Sequence, residues 1–357
     1  MAAKDRTVDE ARLDEFMAKF VQDAGAAMSA VLVVIGDRLG LYRAMADCEP
    51  VTAAQLAERT GTKERYVREW LSNQAASGYV EYDPAGGTFR LPPEQAMALA
   101  DENSPAFVPG AFQIVAAMAK DEAQITERFR TGDGFGWHEH HPDLFAGTER
   151  FFRPGYLANI VPSWLPALDG VVEKLEAGAR VADIGSGHGA STIVMAQAFP
   201  NSTFVGSDYH EASVETARRA ADRAGVSDRV AFEVAGATEF GGGPFDVVCV
   251  YDALHDMGDP VGASAHVLAQ LAPDGTWMVV EPFANDALED NLNPVGRVYY
   301  AASTCICTPN SLSQDVGLAL GAQAGPARLA DVVRRGGFTR VREATATPFN
   351  LVLEVRP

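Results

Sequence analysis

The stretch "VADIGSGHGAS" (residues 181–191) decides how the second half of the chain is read. Val181 to Ile184 form a short apolar run, as a buried strand does. Glycines follow at 185, 187 and 189, and "STIVMAQAF" (191–199) then reads as a helix. A strand that turns through glycines into a helix lets the backbone approach a ligand and offers it the free N–H groups of the helix start. Outward from this loop the alternation continues. Strands are predicted at 203–208, 230–235, 245–251 and 276–282, and helices at 211–225, 261–272 and 327–337. Such alternation implies an α/β fold, a parallel sheet with helices on both faces. The ending "FTRVREATATPFNLVLEVRP" (338–357) is a pair of strands that adds an antiparallel strand at or near the edge.

Two ligands compete for the glycine loop. Gly185, Gly187 and Ala190 satisfy G-x-G-x-x-G/A, the dinucleotide pattern of NAD-dependent oxidoreductases. Asp183 also places an acid two residues before the first glycine, giving D-x-G-x-G-x-G. A carboxylate at that strand end suits a ligand with an ammonium group and no pyrophosphate, such as S-adenosylmethionine. Asp208, ending the second strand, suits the ribose hydroxyls that both ligands carry. Asp183 and the closing pair of strands favour the methyl donor.

The first hundred residues read as helical. "VTAAQLAERTG" (51–61) starts at the N-cap Thr52 and stops at Gly61, and "TKERYVREWLSNQAASG" (62–78) starts at Thr62. "YVEYDPAGGTFRL" (79–91) alternates, turns and alternates again, as a hairpin does. Two short helices and a hairpin make a winged helix. Over 49–92 its bases are Arg59, Lys63, Arg65, Arg68 and Arg90. Its acids are Glu49, Glu58, Glu64, Glu69, Glu81 and Asp83, so the net charge is 5 − 6 = −1. A transcriptional regulator needs a basic face toward phosphates. The whole chain, at −19, also repels nucleic acid and anionic membranes. "SAVLVVIGDRLGLYRAM" (29–45) is apolar enough to pack against a partner chain as a homodimer. "PAFVPGAFQIVAAMA" (105–119), broken by Pro109 and Gly110, reads as a core helix and not a membrane span. A charged start and four cysteines without disulfide spacing fit a reduced, cytoplasmic enzyme.

Residues 178–357 resemble a class I S-adenosylmethionine-dependent methyltransferase, and the whole layout resembles the O-methyltransferases of plants and of bacterial polyketide pathways. A group of actinobacterial small-molecule methyltransferases is similar in "ALHDMGDP", "VVEP", "NLNPVGRVYYAASTCICTPNSLSQ" (291–314) and "LVLEVRP". The resemblance implies three parts: a winged-helix dimerisation domain over 1–100, connecting helices and an active-site lid over 101–175, and a Rossmann-like domain over 176–357. It implies that Asp183, Gly185, Ser186, Gly187 and Gly189 wrap the methionine half of the donor. Asp208 takes the ribose, Tyr209 packs near the adenine, and Asp252 faces the same cleft. In "AGATEF" (235–240), Ala237 stands where the family has an adenine-reading acid. Gly236, Ala237 and the Thr238 hydroxyl then recognise the base.

Methyl transfer from a sulfonium is an in-line displacement that needs alignment and, for a hydroxyl acceptor, a base. In "DALHDMGDP" (252–260), His255 lies just past the fourth strand. The resemblance implies that His255 is the base and Glu281 the acid that orients it. The residues alone leave open a strand-end histidine bonded to backbone, with transfer to nitrogen or carbon by proximity alone. Asp256 is a weaker partner or a helix cap. In "WHEHH" (137–141), adjacent histidines rarely converge on a metal, so no metal is predicted. Trp137, His138 and His141 are read as a lid near the substrate, the alternative being a solvated loop. Tyr299 and Tyr300 line the acceptor pocket or pack in the core. The acceptor is expected to be a small apolar or aromatic molecule, not polyanionic, offering a hydroxyl or carboxyl oxygen.

Overall fold

A computed structural model describes residues 8–357, so the first seven residues of the domain expected over 1–100 lie outside the described residues. The chain divides into two compact units between Ala116 and Ala117.

The first unit opens with helix α1 (Glu10–Arg38), capped by the Asp9 carboxylate on the Arg12 N–H. Among the described residues α1 alone is long and apolar enough to cross a membrane. Helix α2 (Ala53–Thr60) starts in a capping box, in which Thr52 and Gln55 satisfy each other's backbone N–H, and ends at Gly61 with φ +64°. Helix α3 (Glu64–Ala76) starts one residue later than predicted. Lys63 is its N-cap, because the Thr62 hydroxyl is held 2.8 Å from that of Thr60. The hairpin pairs β1 (Glu81–Asp83) with β2 (Thr88–Arg90), and α4 (Pro93–Leu99) follows. Val33, Tyr42, Leu56, Trp70, Leu71 and Phe89 form the core. The buried polar tips are satisfied: the Tyr42 hydroxyl donates to Gln74 at 2.6 Å, and the Trp70 indole to the Leu32 carbonyl at 2.9 Å. Arg65 and Arg68 of α3 pair with Glu69 and Glu64 on their own helix, each at 2.5 Å. Pro109 and Gly110 open helix α5 (Pro109–Thr131) rather than interrupt it, as the fixed φ of a first-turn proline allows.

The second unit continues with α6 (Asp143–Asn159) and α7 (Val171–Ala177). The alternating elements are then β3 (Arg180–Ile184), α8 (Ala190–Ala198), β4 (Thr203–Asp208), α9 (Glu211–Ala224), β5 (Val230–Val234), β6 (Phe245–Tyr251), α10 (Pro260–Gln270) and β7 (Leu271–Pro282). Next come α11 (Pro294–Ala302), α12 (Thr308–Leu312), α13 (Gly325–Arg335), β8 (Arg340–Ala346) and β9 (Asn350–Arg356). The sheet order is β5-β4-β3-β6-β7-β9-β8. The first five strands run parallel, β9 pairs antiparallel with β7, and β8 closes the edge antiparallel to β9. Apolar side chains cover both faces, with Trp164, Met195 and Phe204 on one and Phe245, Trp277 and Leu329 on the other. Strand order reverses on either side of β3, and such a switch point opens a crevice at the carboxyl ends of the strands.

Candidate active site

At that crevice lies a cavity of about 720 Å³. The glycine loop forms one wall. Gly185 and Gly187 have φ of +71° and +52°, where a side chain is strained. A Cβ on Gly187 would meet nothing within 4 Å, so its backbone stands open to a ligand. The Ser186 hydroxyl, on the same wall, is buried with no partner among the described residues. That hydroxyl is turned back against Gly206, so it is the loop backbone that faces the cavity. Asp208 accepts the Gly187 N–H on one oxygen and the His210 N–H on the other, both at 2.9 Å, and burial raises its pKa. Tyr209, Gly236, Ala237 and Thr238 also line the cavity.

Asp183 and Gly189 do not line it. Asp183 Oδ2 accepts the hydroxyls of Ser191 and Thr192, each at 2.6 Å, so its carboxylate ties β3 to the first turn of α8. Burial raises its pKa to about 6, against those two bonds. A Cβ on Gly189 would lie 2.6 Å from the Phe232 ring and 3.0 Å from Ala217, so this glycine serves close packing.

The opposite wall is assembled from distant segments. Asp252, with φ +51°, accepts the Asn350 amide at 2.9 Å and the Tyr156 hydroxyl at 3.1 Å. Burial, helped by Glu281, pushes its pKa up to about 8. The segment around Trp137 is seated by its backbone. Phe135 N–H donates to the Pro309 carbonyl at 2.8 Å and Trp137 N–H to Asn310 Oδ1 at 3.1 Å. Gly134 is close enough to Ser313 that a Cβ would fall 2.0 Å from its nitrogen. This seating aims the Trp137 indole N–H at Asp256 Oδ2, 2.7 Å away. His138 lines the cavity, but the other two histidines diverge from it. His140 is buried 2.9 Å from Asp121, and His141 sits beside Lys120 and Asp143, off the cavity.

His255 is buried, with Nδ1 2.6 Å from Glu281 Oε2 and Nε2 3.3 Å from Cys307 Sγ. Glu281 Oε1 also accepts the Leu254 N–H at 2.9 Å, which fixes the turn carrying the histidine. Burial pulls the imidazole pKa down, but Glu281 and Cys307 override it and hold it well above the ordinary value. Cys307 ends a π-turn (Ser303–Cys307), an irregularity common at functional sites. Ala253 and Asp256, in the same turn as His255, line the cavity, whereas His255 and Glu281 do not. Tyr299 and Tyr300 are also off it, and the Tyr299 hydroxyl donates to the Phe349 carbonyl at 2.8 Å.

Some lining residues went unread in the sequence. One face of α6 supplies Phe145, Glu149, Phe152 and Tyr156, and their spacing of four, three and four residues is a helical period. Glu149 holds His188 of the glycine loop at 2.8 Å. The acids lining the cavity are Glu149, Asp208, Glu239, Asp252, Asp256, Asp259 and Asp315. The histidines are His138, His188 and His210, and among the described residues no Lys or Arg lines it.

Comparison with known proteins bears on both units. Residues 27–101 match the family model of the Rv2258c-like winged HTH domain, and residues 175–317 match that of a methyltransferase domain. No curated protein matches the chain. Solved structures share the fold. The mitomycin 7-O-methyltransferase is 22% identical, covers 98% of this chain and 99% of its own, and has a TM-score of 0.69. An O-methyltransferase family protein from Burkholderia thailandensis is 19% identical over 98% and 99%, with a TM-score of 0.67. Human N-acetylserotonin methyltransferase, solved in complex with S-adenosylmethionine, is 16% identical over 99% of both chains, with a TM-score of 0.66.

Proposed function

We propose, for a chain that joins a winged HTH domain to a methyltransferase domain, that it transfers the methyl group of S-adenosylmethionine to an oxygen of a small acceptor. The observation that carries this reading is the open backbone at Gly187, between Ser186 and His188 in a positive-φ glycine loop, on a cavity that Asp208 also lines. That wall fits a nucleoside with a polar tail. Asp208 takes the ribose, Gly185 to Gly187 the methionine half, and Gly236 to Thr238 with Tyr209 the adenine. Asp183 supports them from behind by holding α8. The human neighbour solved with the methyl donor supports the cofactor.

S-adenosylmethionine, when bound, supplies an electrophilic methyl group on a sulfonium. The protein's part is to align the acceptor, exclude water and take a proton. Trp137, His138, Phe152, Tyr156 and Asp252 form the acceptor wall, with Tyr299 and Tyr300 shaping it from outside the lining. His141, off the cavity beside Lys120 and Asp143, anchors the segment that carries Trp137 and His138. His255 is the base. Glu281 receives its Nδ1–H, which leaves Nε2 to accept the hydroxyl proton once the contact with Cys307 opens. The acceptor is a hydroxyl or carboxyl oxygen.

Phe16, Phe20, Met28, Val31 and Ile35 stand exposed along α1 at helical spacing, and a second copy of the chain covers them in a homodimer. Four free thiols suit the reducing cytoplasm. The reaction is tested with methyl-labelled donor and a panel of hydroxylated aromatics. Label in an ether or ester is expected, and label only in amine or carbon products would move the reaction to another acceptor atom.

A further inference from the structure

We infer that the acceptor wall is built for a cation: a ring that carries an ammonium group, seated against Trp137 with its charge on Asp256. This rests on the methyl-donor reading, which places the acceptor opposite the glycine loop.

Charge comes first. Carboxylates line the cavity and no Lys or Arg among the described residues does. Those on the glycine-loop side already have work. Asp208 binds two backbone N–H groups and Glu149 binds His188. On the other side, the hydrogen bonds that Asp252 and Asp256 accept come from neutral donors, namely a tyrosine hydroxyl, a side-chain amide and an indole, while His255, whose charge acts on both, is itself bonded to Glu281. The register of β3 against β6, Ile184 opposite Val250, puts Asp252 beside Gly185 and Ser186. Asp252 therefore faces the place of the donor's own sulfonium. Asp256 lies a turn farther on, and the Trp137 indole on it sets it apart from Glu239, Asp259 and Asp315, the other acids of the lining, as the carboxylate beside an aromatic ring, placed for a second positive charge.

The walls are aromatic as well. Trp137 and Phe145 have centroids 5.5 Å apart, and Phe152 stacks on Tyr156 at 5.9 Å. All four line the cavity. Aromatic faces attract cations, and carboxylates beside them strengthen that attraction. An acceptor bearing a carboxylate or phosphate would instead stand among like charges with no Lys or Arg among the described lining residues to pair it. The nucleophilic oxygen is therefore a hydroxyl, and the positive charge sits elsewhere on the acceptor.

The test uses the full chain and three probes that share one phenol ring: tyramine, 4-ethylphenol and 4-hydroxyphenylacetate. S-adenosylhomocysteine is titrated first, then each probe is titrated with and without it. Tyramine is expected to bind best and the anion worst, about tenfold or more apart for one carboxylate contact in a shielded site. In Asp256→Asn that gap should shrink to about threefold or less, with S-adenosylhomocysteine affinity unchanged within about twofold. The wild-type series decides the charge preference even if the variant fails to fold. Equal binding of anion and cation, no measurable tyramine binding, or an unchanged gap in folded Asp256→Asn would overturn the inference. Failure of S-adenosylhomocysteine to bind would count against the donor reading instead, and the probe series without it would still decide the charge preference.

Discussion

On the glycine-loop wall the ties stay within adjoining sheet elements: Asp208 of β4 accepts the Gly187 and His210 N–H groups, and behind the wall Asp183 of β3 accepts the Ser191 and Thr192 hydroxyls. On the acceptor wall every tie runs between distant segments. Trp137 reaches Asp256, Tyr156 and Asn350 reach Asp252, and Cys307 reaches His255. The first wall is held by neighbouring strands of the sheet, with Glu149 of α6 bracing His188. The second is held by several distant segments seated together, and on the proposed reading it is the wall that sets specificity. Single substitutions should therefore separate donor binding from turnover.

The largest separation is expected at His255. His255→Ala should lower turnover by about a hundredfold or more, as loss of a general base does, and leave S-adenosylhomocysteine affinity within about twofold. Steady-state kinetics beside calorimetry reads both, and a fall below about threefold would leave proximity alone as the mechanism. The raised imidazole pKa adds a direction. A base works deprotonated, so the rising limb of the pH–rate profile should lie on the alkaline side of an ordinary histidine.

The glycine-loop wall can be broken from behind, at Gly189, which packs beneath it. Its φ of +81° and the 2.6 Å approach of a Cβ to Phe232 leave no room for a side chain. Gly189→Val should cost about 2–3 kcal/mol of stability through strain and overpacking and weaken S-adenosylhomocysteine about tenfold. Denaturant melts and calorimetry check the pair. An unchanged affinity in a folded variant would mean that the loop does not shape the donor site.

The smallest effect is expected where the walls meet. Burial raises the Asp252 carboxyl to about 8 from an ordinary 3.8. An acid whose folded pKa exceeds its unfolded one contributes most favourably below the unfolded value and costs stability as pH rises toward the folded one. Asparagine keeps a donor and an acceptor for Tyr156 and Asn350 and carries no such cost. The melting-temperature advantage of unliganded Asp252→Asn should therefore grow by about 3 °C or more from pH 5 to pH 8. An advantage independent of pH would show that Asp252 does not titrate in this window.

The same contrast explains what the sequence reveals. The parallel sheet and glycine loop are legible because each depends on residues adjacent in the chain: an apolar run, three glycines, an acid at a strand end. The winged-helix boundaries at Thr52 and Gly61 are legible for the same reason, while Thr62 misleads because its hydroxyl finds Thr60. The lining face of α6 has a readable period in Phe145, Glu149, Phe152 and Tyr156, but the period alone does not tell a cavity-facing stripe from a core-facing one. Nothing local announces the contact of His255 with Cys307, the burial of His140 on Asp121, or the divergence of His138 and His141, which are products of tertiary packing. Asp183 satisfies a motif, yet its carboxylate is turned to Ser191 and Thr192, a partnership that the neighbouring "AST" (190–192) makes possible.

The most direct measurement of the central claim is calorimetric titration of the unmodified chain with S-adenosylhomocysteine and, separately, with NAD. Saturable one-site binding of the nucleoside is expected, lost or weakened at least about tenfold in Asp208→Ala, with no heat from the dinucleotide. Saturable binding of NAD with none of S-adenosylhomocysteine would contradict it.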